Sequence, residues 1–179
     1  MSKTMQQYLV LTALGENSPG AVVQLGRVTR DCGCNIVDSR MAALGSEVAA
    51  IMMVSGPWDS IAKIEDQLPK LQQDLGMSLH WKRTETGAQD TSEMPYAIDV
   101  IGCDRAGVVF DIAKFVADNE LHIQDLHSNT YQAARTGTQM FSLHMTVSIP
   151  VNMSISALRN DFMDFCDRLN LDAIMEPVK

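Results

Sequence analysis

The sequence repeats itself, and this repeat constrains the fold more than any other feature of the chain. Gly15 aligns with Gly102 at a shift of 87 residues, and the apolar pattern of the first copy continues through the second with five extra residues. The same shift aligns Gly20 with Gly107, Asp31 with Asp118, Ile36 with Ile123, and Asp38 with Asp125. Each copy has about 80 residues, the size of a small domain. We therefore predict a tail at residues 1–7, a first domain at 8–85, a polar linker at 86–95 and a second domain at 96–179.

Both copies predict the same order of elements: a strand, a helix, two strands, a second helix and a final strand. Predicted strands lie at 8–14, 35–43, 47–55 and 79–83, and in the second copy at 122–131, 139–149 and 173–178. This order predicts an α+β fold of two ferredoxin-like βαββαβ domains. Each should have a four-stranded antiparallel sheet with two helices on one face.

Local signals mark the ends of the predicted helices. Ser18 followed by Pro19 indicates the start of the first helix, and Asp104 is the expected cap in the second copy. Gly33 is the expected end of the first helix, and Asn119 or Glu120 ends the corresponding helix of the second copy. Pro69 lies within the pattern of another helix, where it predicts a kink or a restart.

Composition and charge exclude several classes of protein. The chain is 46% hydrophobic with a formal net charge of −8, and its longest basic run is Lys82-Arg83. Direct binding to nucleic acid is not expected, because that needs a basic surface and the two copies leave no room for a helix-turn-helix. Without a run of 18 apolar residues or a signal-peptide core, the sequence predicts a cytoplasmic protein with no membrane partner.

Catalytic and metal-binding motifs are not apparent in the sequence. Of the four cysteines, only Cys32 and Cys34 are close in sequence, and two thiols without further ligands at suitable spacing do not predict a zinc site. Histidines occur at 80, 122, 127 and 144, outside any recognisable catalytic string. His144 is expected to pair with Asp99 on the open sheet face as a surface contact. We predict no enzyme activity, no metal and no cofactor.

Two loop segments resemble the ACT family, small regulatory domains that bind amino acids. The first copy has Gly15-Glu16-Asn17-Ser18-Pro19-Gly20 and Cys34-Asn35-Ile36 on either side of its first helix. The second copy has the degenerate forms Gly102-Cys103-Asp104-Arg105-Ala106-Gly107 and His122-Ile123. The resemblance covers residues 8–179. It implies that the ligand-binding residues are Asn17, Ser18, Gly20, Asn35, Ile36, Asp104, Arg105, Gly107, His122 and Ile123.

The chemistry of these loops suits an amino acid. A helix N-terminus favours a carboxylate, and an Asn carbonyl accepts a hydrogen bond from an ammonium. A helix of about 14 residues is about 21 Å long, so Asn17 and Asn35 can meet only when two copies pack side by side. In the second copy Asp104 would repel a carboxylate, Arg105 would attract one, and His122 replaces the Asn of the family. Ordinary capping and a tight turn are the alternative roles of these residues.

The resemblance also implies a function. It predicts a non-enzymatic repressor of glycine cleavage genes that responds to a small amino acid, with glycine expected, and acts by contacting a DNA-binding activator. The alternative is a stand-alone module that controls an amino-acid enzyme by contact, and a catalyst or metal carrier is a third, less favoured class. Residues 1–89 contain eight basic and nine acidic residues, whereas residues 90–179 contain six basic and thirteen acidic ones. The acidic second copy either attracts a basic partner or serves solubility.

The third strand of the first copy is apolar on both faces. Val48, Ala50, Met52 and Val54 alternate with Ala49, Ile51 and Met53, whereas the second copy alternates Phe141, Leu143, Met145 and Val147 with polar residues. The helices cover only one face, so we expect the second copy or another subunit to bury the other one. This pattern predicts a homo-oligomer.

Overall fold

The computed structural model describes residues 6–85 and 92–178 of the chain. The chain divides into two compact units, Met1–Ala88 and Gln89–Lys179. Unit 1 contains β1 (Gln7–Glu16), α1 (Ala21–Asp31), β2 (Asn35–Leu44), β3 (Glu47–Gly56), α2 (Trp58–Leu75) and β4 (Ser78–Thr84). Unit 2 contains β5 (Glu93–Cys103), α3 (Val108–Asp118), β6 (His122–Gln132), β7 (Gln139–Pro150), α4 (Ile155–Arg168) and β8 (Leu171–Pro177).

The two units have the same topology, and the predicted pair of ferredoxin-like α+β domains is confirmed. Strand order is β2-β3-β1-β4 in unit 1 and β6-β7-β5-β8 in unit 2, with every neighbouring pair antiparallel. Residues 93–95, predicted as linker, belong to β5 because they continue the ladder opposite β7. Residues 86–91 of that linker and residues 1–5 of the tail lie outside the described residues.

Each unit buries its own apolar core between the sheet and its two helices. Leu9, Val54, Ile61 and Leu68 are fully buried in unit 1. Unit 2 buries Ile98, Ile112, Met145 and Phe162 to the same extent. These residues recur every second position on strands and every third or fourth on helices, as expected for half-buried elements.

The predicted helix caps are wrong at the N-termini of α1 and α3. The N-cap residues are Gly20 and Gly107, and neither helix has a side-chain cap hydrogen bond. Asp104 lies three residues before the N-cap position of α3, and its own N–H bonds to the Gln139 carbonyl, which continues the sheet beyond β5. Gly107 has φ of 85°, a left-handed conformation that glycine adopts without strain.

The C-terminal ends of α1 and α3 lie where the sequence predicts them. After α1, the N–H groups of Gly33 and Cys34 bond to the Arg30 and Thr29 carbonyls, with Gly33 at φ 77°. This is the Schellman motif, which satisfies carbonyls that the helix leaves free. The same pattern follows α3, where Glu120 has φ of 56° and Leu121 N–H bonds to the Val116 carbonyl.

Helix α2 runs through Pro69 without a break, so the predicted restart is wrong. Proline lacks an N–H and leaves the Glu65 carbonyl without its helical donor. Leu68 and Leu71 beside it are buried, however, and their packing holds the helix on the sheet on both sides of the proline.

Strands β3 and β7 differ on their open faces as the sequence predicts: the open face of β3 is apolar, whereas that of β7 is polar. On β7, Phe141, Leu143 and Met145 are buried, whereas the side chains between them, including Ser142 and His144, are half-buried. Ser148 is an exception to this polar face, because Gln124 donates a hydrogen bond to its hydroxyl and the residue is buried.

Candidate amino-acid-binding loops

In unit 1 the two asparagines lie at opposite ends of the sheet. Asn17 N–H donates to the Ser46 carbonyl at 3.0 Å, beside the β2–β3 turn. Asn35 begins β2 and lies opposite Ser55, near the far end of β3. Ser46 and Ser55, which lie beside the two asparagines, are nine positions apart in the chain. The asparagines therefore lie about 30 Å apart along the sheet. The unit therefore brings Asn17, Ser18 and Gly20 together at one end, and Asn35 with Ile36 at the other.

Unit 2 places its corresponding residues in the same way. Asp104 is bonded to Gln139 at the end of β5, and His122 begins β6 opposite Ser148. All five predicted residues, Asp104, Arg105, Gly107, His122 and Ile123, are exposed. Neither unit can complete a small-molecule site from its own two loops.

The start of α1 is better suited to an anion than the start of α3. Unbonded N–H groups at a helix N-terminus attract negative charge. The first turn of α1 contains no acidic residue, whereas that of α3 contains Asp111. The Ala21 N–H bonds to the Ser18 carbonyl at 3.3 Å, and the helix has no side-chain cap to take up the next N–H groups of its first turn.

Two of the unit 2 candidates, Arg105 and His122, already have partners. Arg105 Nη2 donates to Asp111 Oδ2 at 2.7 Å, and His122 Nδ1 lies 3.0 Å from Glu93 Oε1. Asp111 neutralises the Arg105 guanidinium that would attract a carboxylate, and Glu93 already places a carboxylate beside the His122 ring. Neither pair was predicted from the sequence, although an arginine six residues before an acid at a helix start is a usable signal for the first.

The histidine side chains of unit 2 make surface contacts. The expected pair between His144 and Asp99 is confirmed, with Nδ1 2.6 Å from Oδ1, and the His127 ring lies 5.2 Å from the His144 ring.

Burial raises the pKa of the Cys32 and Cys34 thiols, and that of Cys166 to about 12. These three thiols are therefore protonated near neutral pH and are poor nucleophiles.

The described residues show neither a metal-binding cluster nor a membrane-spanning helix. Within 6–85 and 92–178, no group of three or more His, Cys, Asp or Glu side chains is placed to hold a metal ion. None of the helices in these ranges is long and apolar enough to cross a membrane.

Comparison with known proteins agrees with the architecture. Residues 7–82 match the family described as the ACT domain. A crystal structure of an unknown protein from Galdieria sulphuraria superposes with a TM-score of 0.79 at 22% identity, covering 98% of this chain and 100% of that one. A second solved structure, provisionally named a glycine cleavage system transcriptional repressor, has a TM-score of 0.72 at 26% identity, covering 98% and 99%. The chain is thus a tandem ACT-domain protein.

Sequence similarity narrows this class further. The chain is 31% identical over 170 residues to the glycine cleavage system transcriptional repressor of Escherichia coli strain K12, which is 95% of this chain and 90% of that protein. The repressor of Shigella flexneri matches to the same extent. The chain belongs to the family of glycine cleavage system transcriptional repressors, and it is a regulatory protein, not an enzyme.

Proposed function

We propose that this protein represses glycine cleavage genes in the cytoplasm in response to glycine, by contacting a DNA-binding activator. Similarity over 95% of the chain to a repressor of that system carries the proposal. The charge supports an indirect mechanism, because a chain at −8 lacks the basic surface that phosphate contacts need. The alternative, control of an amino-acid enzyme by contact, predicts capture of that enzyme rather than an activator in an affinity pull-down.

The proposed ligand site uses the start of α1 from one chain and the start of β2 from another. The α1 terminus has neither an acidic residue in its first turn nor a side-chain cap, which supports binding of the carboxylate there. Asn35 is exposed and can accept from the ammonium. In unit 2 the Arg105–Asp111 and His122–Glu93 pairs argue for weaker binding, so we assign glycine to unit 1.

Replacing Asn17 or Asn35 with alanine is expected to weaken glycine binding by about 1–3 kcal/mol, because a polar group of the ligand loses its partner. Isothermal titration calorimetry on the full chain measures this. Asn152→Ala is the matched control, since Asn152 is exposed in the turn before α4. Wild-type affinity in both site variants would show that the assignment is wrong.

We propose that the oligomer forms through the open face of unit 1. Leu14 and Ile51 on this face keep 54% and 47% of their surface exposed in the single chain, beside half-buried Val10 and Met53. Exposed apolar surface of this kind is costly in water and favours association. A second chain is the proposed cover.

The variant Ile51→Asp is expected to convert the oligomer to a species of single-chain mass in sedimentation velocity, because it places a charge within the proposed interface. Ile101→Asp is the control on the open face of unit 2, where Ile101 is 45% exposed. An Ile51→Asp variant that sediments like the wild type, or a wild-type chain that sediments as a monomer, refutes this interface.

A further inference from the structure

An ion pair links the second helix of unit 1 to the edge of its sheet. Arg83 on β4 donates from Nε to Glu65 Oε1 at 3.1 Å and from Nη2 to Oε2 at 2.7 Å. Such two-point pairing is the geometry that guanidinium and carboxylate groups prefer. The hydrogen bond from Arg83 lowers the pKa of Glu65, so the carboxylate is kept in its charged form. The edge of unit 1 is thus neutralised by its own residues.

Both partners are replaced at the equivalent positions of unit 2. Arg83 lies opposite Leu9 on β1, and Pro177 lies opposite Tyr96 on β5, two strand positions related by the repeat. On the helices, the buried Ile64 before Glu65 corresponds to the buried Leu158 before Arg159. Arg159 therefore takes the place of the acid, and Pro177 takes the place of the base.

This exchange leaves Arg159 without an internal anion. Its Nε is buried and has no hydrogen-bond partner, the one such side-chain nitrogen or oxygen found in the described part of the chain. The neighbours of Arg159 three and four residues away on α4 are not acidic: Ile155, Ser156, Phe162 and Met163. A buried donor without a partner is costly, and a charged one more so.

Arg159 borders a groove of about 570 Å³ between α4 and β8, lined otherwise by Met163 and residues 173–177. We call this the Arg159 groove. Met163, Ala173 and Met175 give its walls an apolar part and Arg159 and Glu176 a polar part, and its size is that of a small-molecule site. Glu176 also lines the groove, but no ion pair joins it to Arg159 among the described side chains.

We propose that the Arg159 groove binds a small carboxylic acid with an apolar body. The guanidinium of Arg159 receives the carboxylate, as the guanidinium of Arg83 receives that of Glu65 in unit 1. The methionine side chains, which adapt to different shapes, pack on the apolar body. This groove lies between α4 and β8, apart from the α1 and β2 loops proposed to bind glycine, and it does not depend on that proposal.

The test is titration of the full chain with 4-methylpentanoate and, separately, with 4-methylpentanamide, a neutral molecule of nearly the same shape. Calorimetry is expected to show binding of the acid and binding of the amide at least about tenfold weaker, because the charge-assisted hydrogen bonds are lost. Arg159→Gln is expected to lower the affinity for the acid to that for the amide. Arg168→Gln removes a charge from the last turn of the same helix and should leave the affinity unchanged.

A second variant fills the site from within. Pro177→Glu restores an acid–base pair at the position occupied by Glu65 and Arg83 in unit 1, and should abolish binding of 4-methylpentanoate without lowering the melting temperature. Equal affinity for acid and amide, no binding of the acid, or wild-type affinity in Arg159→Gln would each overturn the proposal. Should Arg159→Gln fail to fold, the acid–amide comparison and Pro177→Glu still decide it.

Discussion

Phe162→Ala is expected to lower the free energy of unfolding of unit 2 by about 3–5 kcal/mol, the largest effect of any substitution considered for this chain. Phe162 on α4 is fully buried. Its ring centroid lies 5.2 Å from that of Phe115 on α3 and 6.3 Å from that of Phe165. Alanine would leave a cavity where the two helices of the unit meet the sheet, and a close-packed core fills such a cavity only in part.

Urea unfolding followed by far-UV circular dichroism measures this change. Tryptophan fluorescence is unsuitable, because both tryptophans, Trp58 and Trp81, belong to unit 1. Phe110→Ala is the matched control, since Phe110 on α3 is 67% exposed and its removal should change stability by no more than about 0.5 kcal/mol. Equal effects of the two substitutions would contradict the placement of Phe162 in the core.

Gly102→Ala is expected to destabilise unit 2 by about 1–3 kcal/mol through overpacking. A Cβ atom at this position of β5 would collide with Leu171 Cδ2 on β8 and lie 3.3 Å from the Asn170 carbonyl oxygen. Leu171 is only 3% exposed, so its side chain has little room to move away from the added methyl group.

The opposite sign is expected for Gly26→Ala in α1. A Cβ atom at Gly26 meets nothing within 4 Å, and alanine in a helix is favoured over glycine by about 0.5–1 kcal/mol. Thermal unfolding of the two variants beside the wild type tests both expectations. A Gly102→Ala variant as stable as the wild type would contradict the tight β5–β8 contact.

The fold could be predicted from sequence because the repeat gives every element twice. A pattern that is weak in one copy, such as the strand at Val48–Val54, is supported by its clear counterpart around Phe141 and Leu143. The C-terminal ends of α1 and α3 could also be predicted, because Gly33 and the Asn119-Glu120 pair are local signals. Gly102 and Gly15 also stood out in the alignment, but only the register with the neighbouring strand explains the glycine at 102.

The details of the sites could not be predicted, because they depend on contacts between elements. Asp104 is a residue type that favours a helix N-cap, yet α3 begins only after Gly107, three residues later, and Asp104 continues the sheet through its N–H. Arg83 and Glu65 are 18 residues apart, and His122 and Glu93 are 29 apart. Their pairing follows from strand register and side-chain conformation, which no local pattern encodes. The lack of a partner at Arg159 Nε likewise depends on how the side chain packs, which no local pattern encodes.

The most direct test of the proposed function is a gel-shift assay with operator DNA of the glycine cleavage genes. Four samples are compared: DNA with this protein, with the DNA-binding activator of those genes from the same organism, and with both proteins in the presence and absence of glycine. We expect no shift with this protein alone, because its formal net charge is −8 and its longest basic run is two residues. With the activator present, it should change the activator–DNA complex in a way that depends on glycine, and this dependence should be lost in Asn17→Ala. A shift of the DNA by this protein alone, or an activator complex that it leaves unchanged at every glycine concentration, would contradict the proposed function.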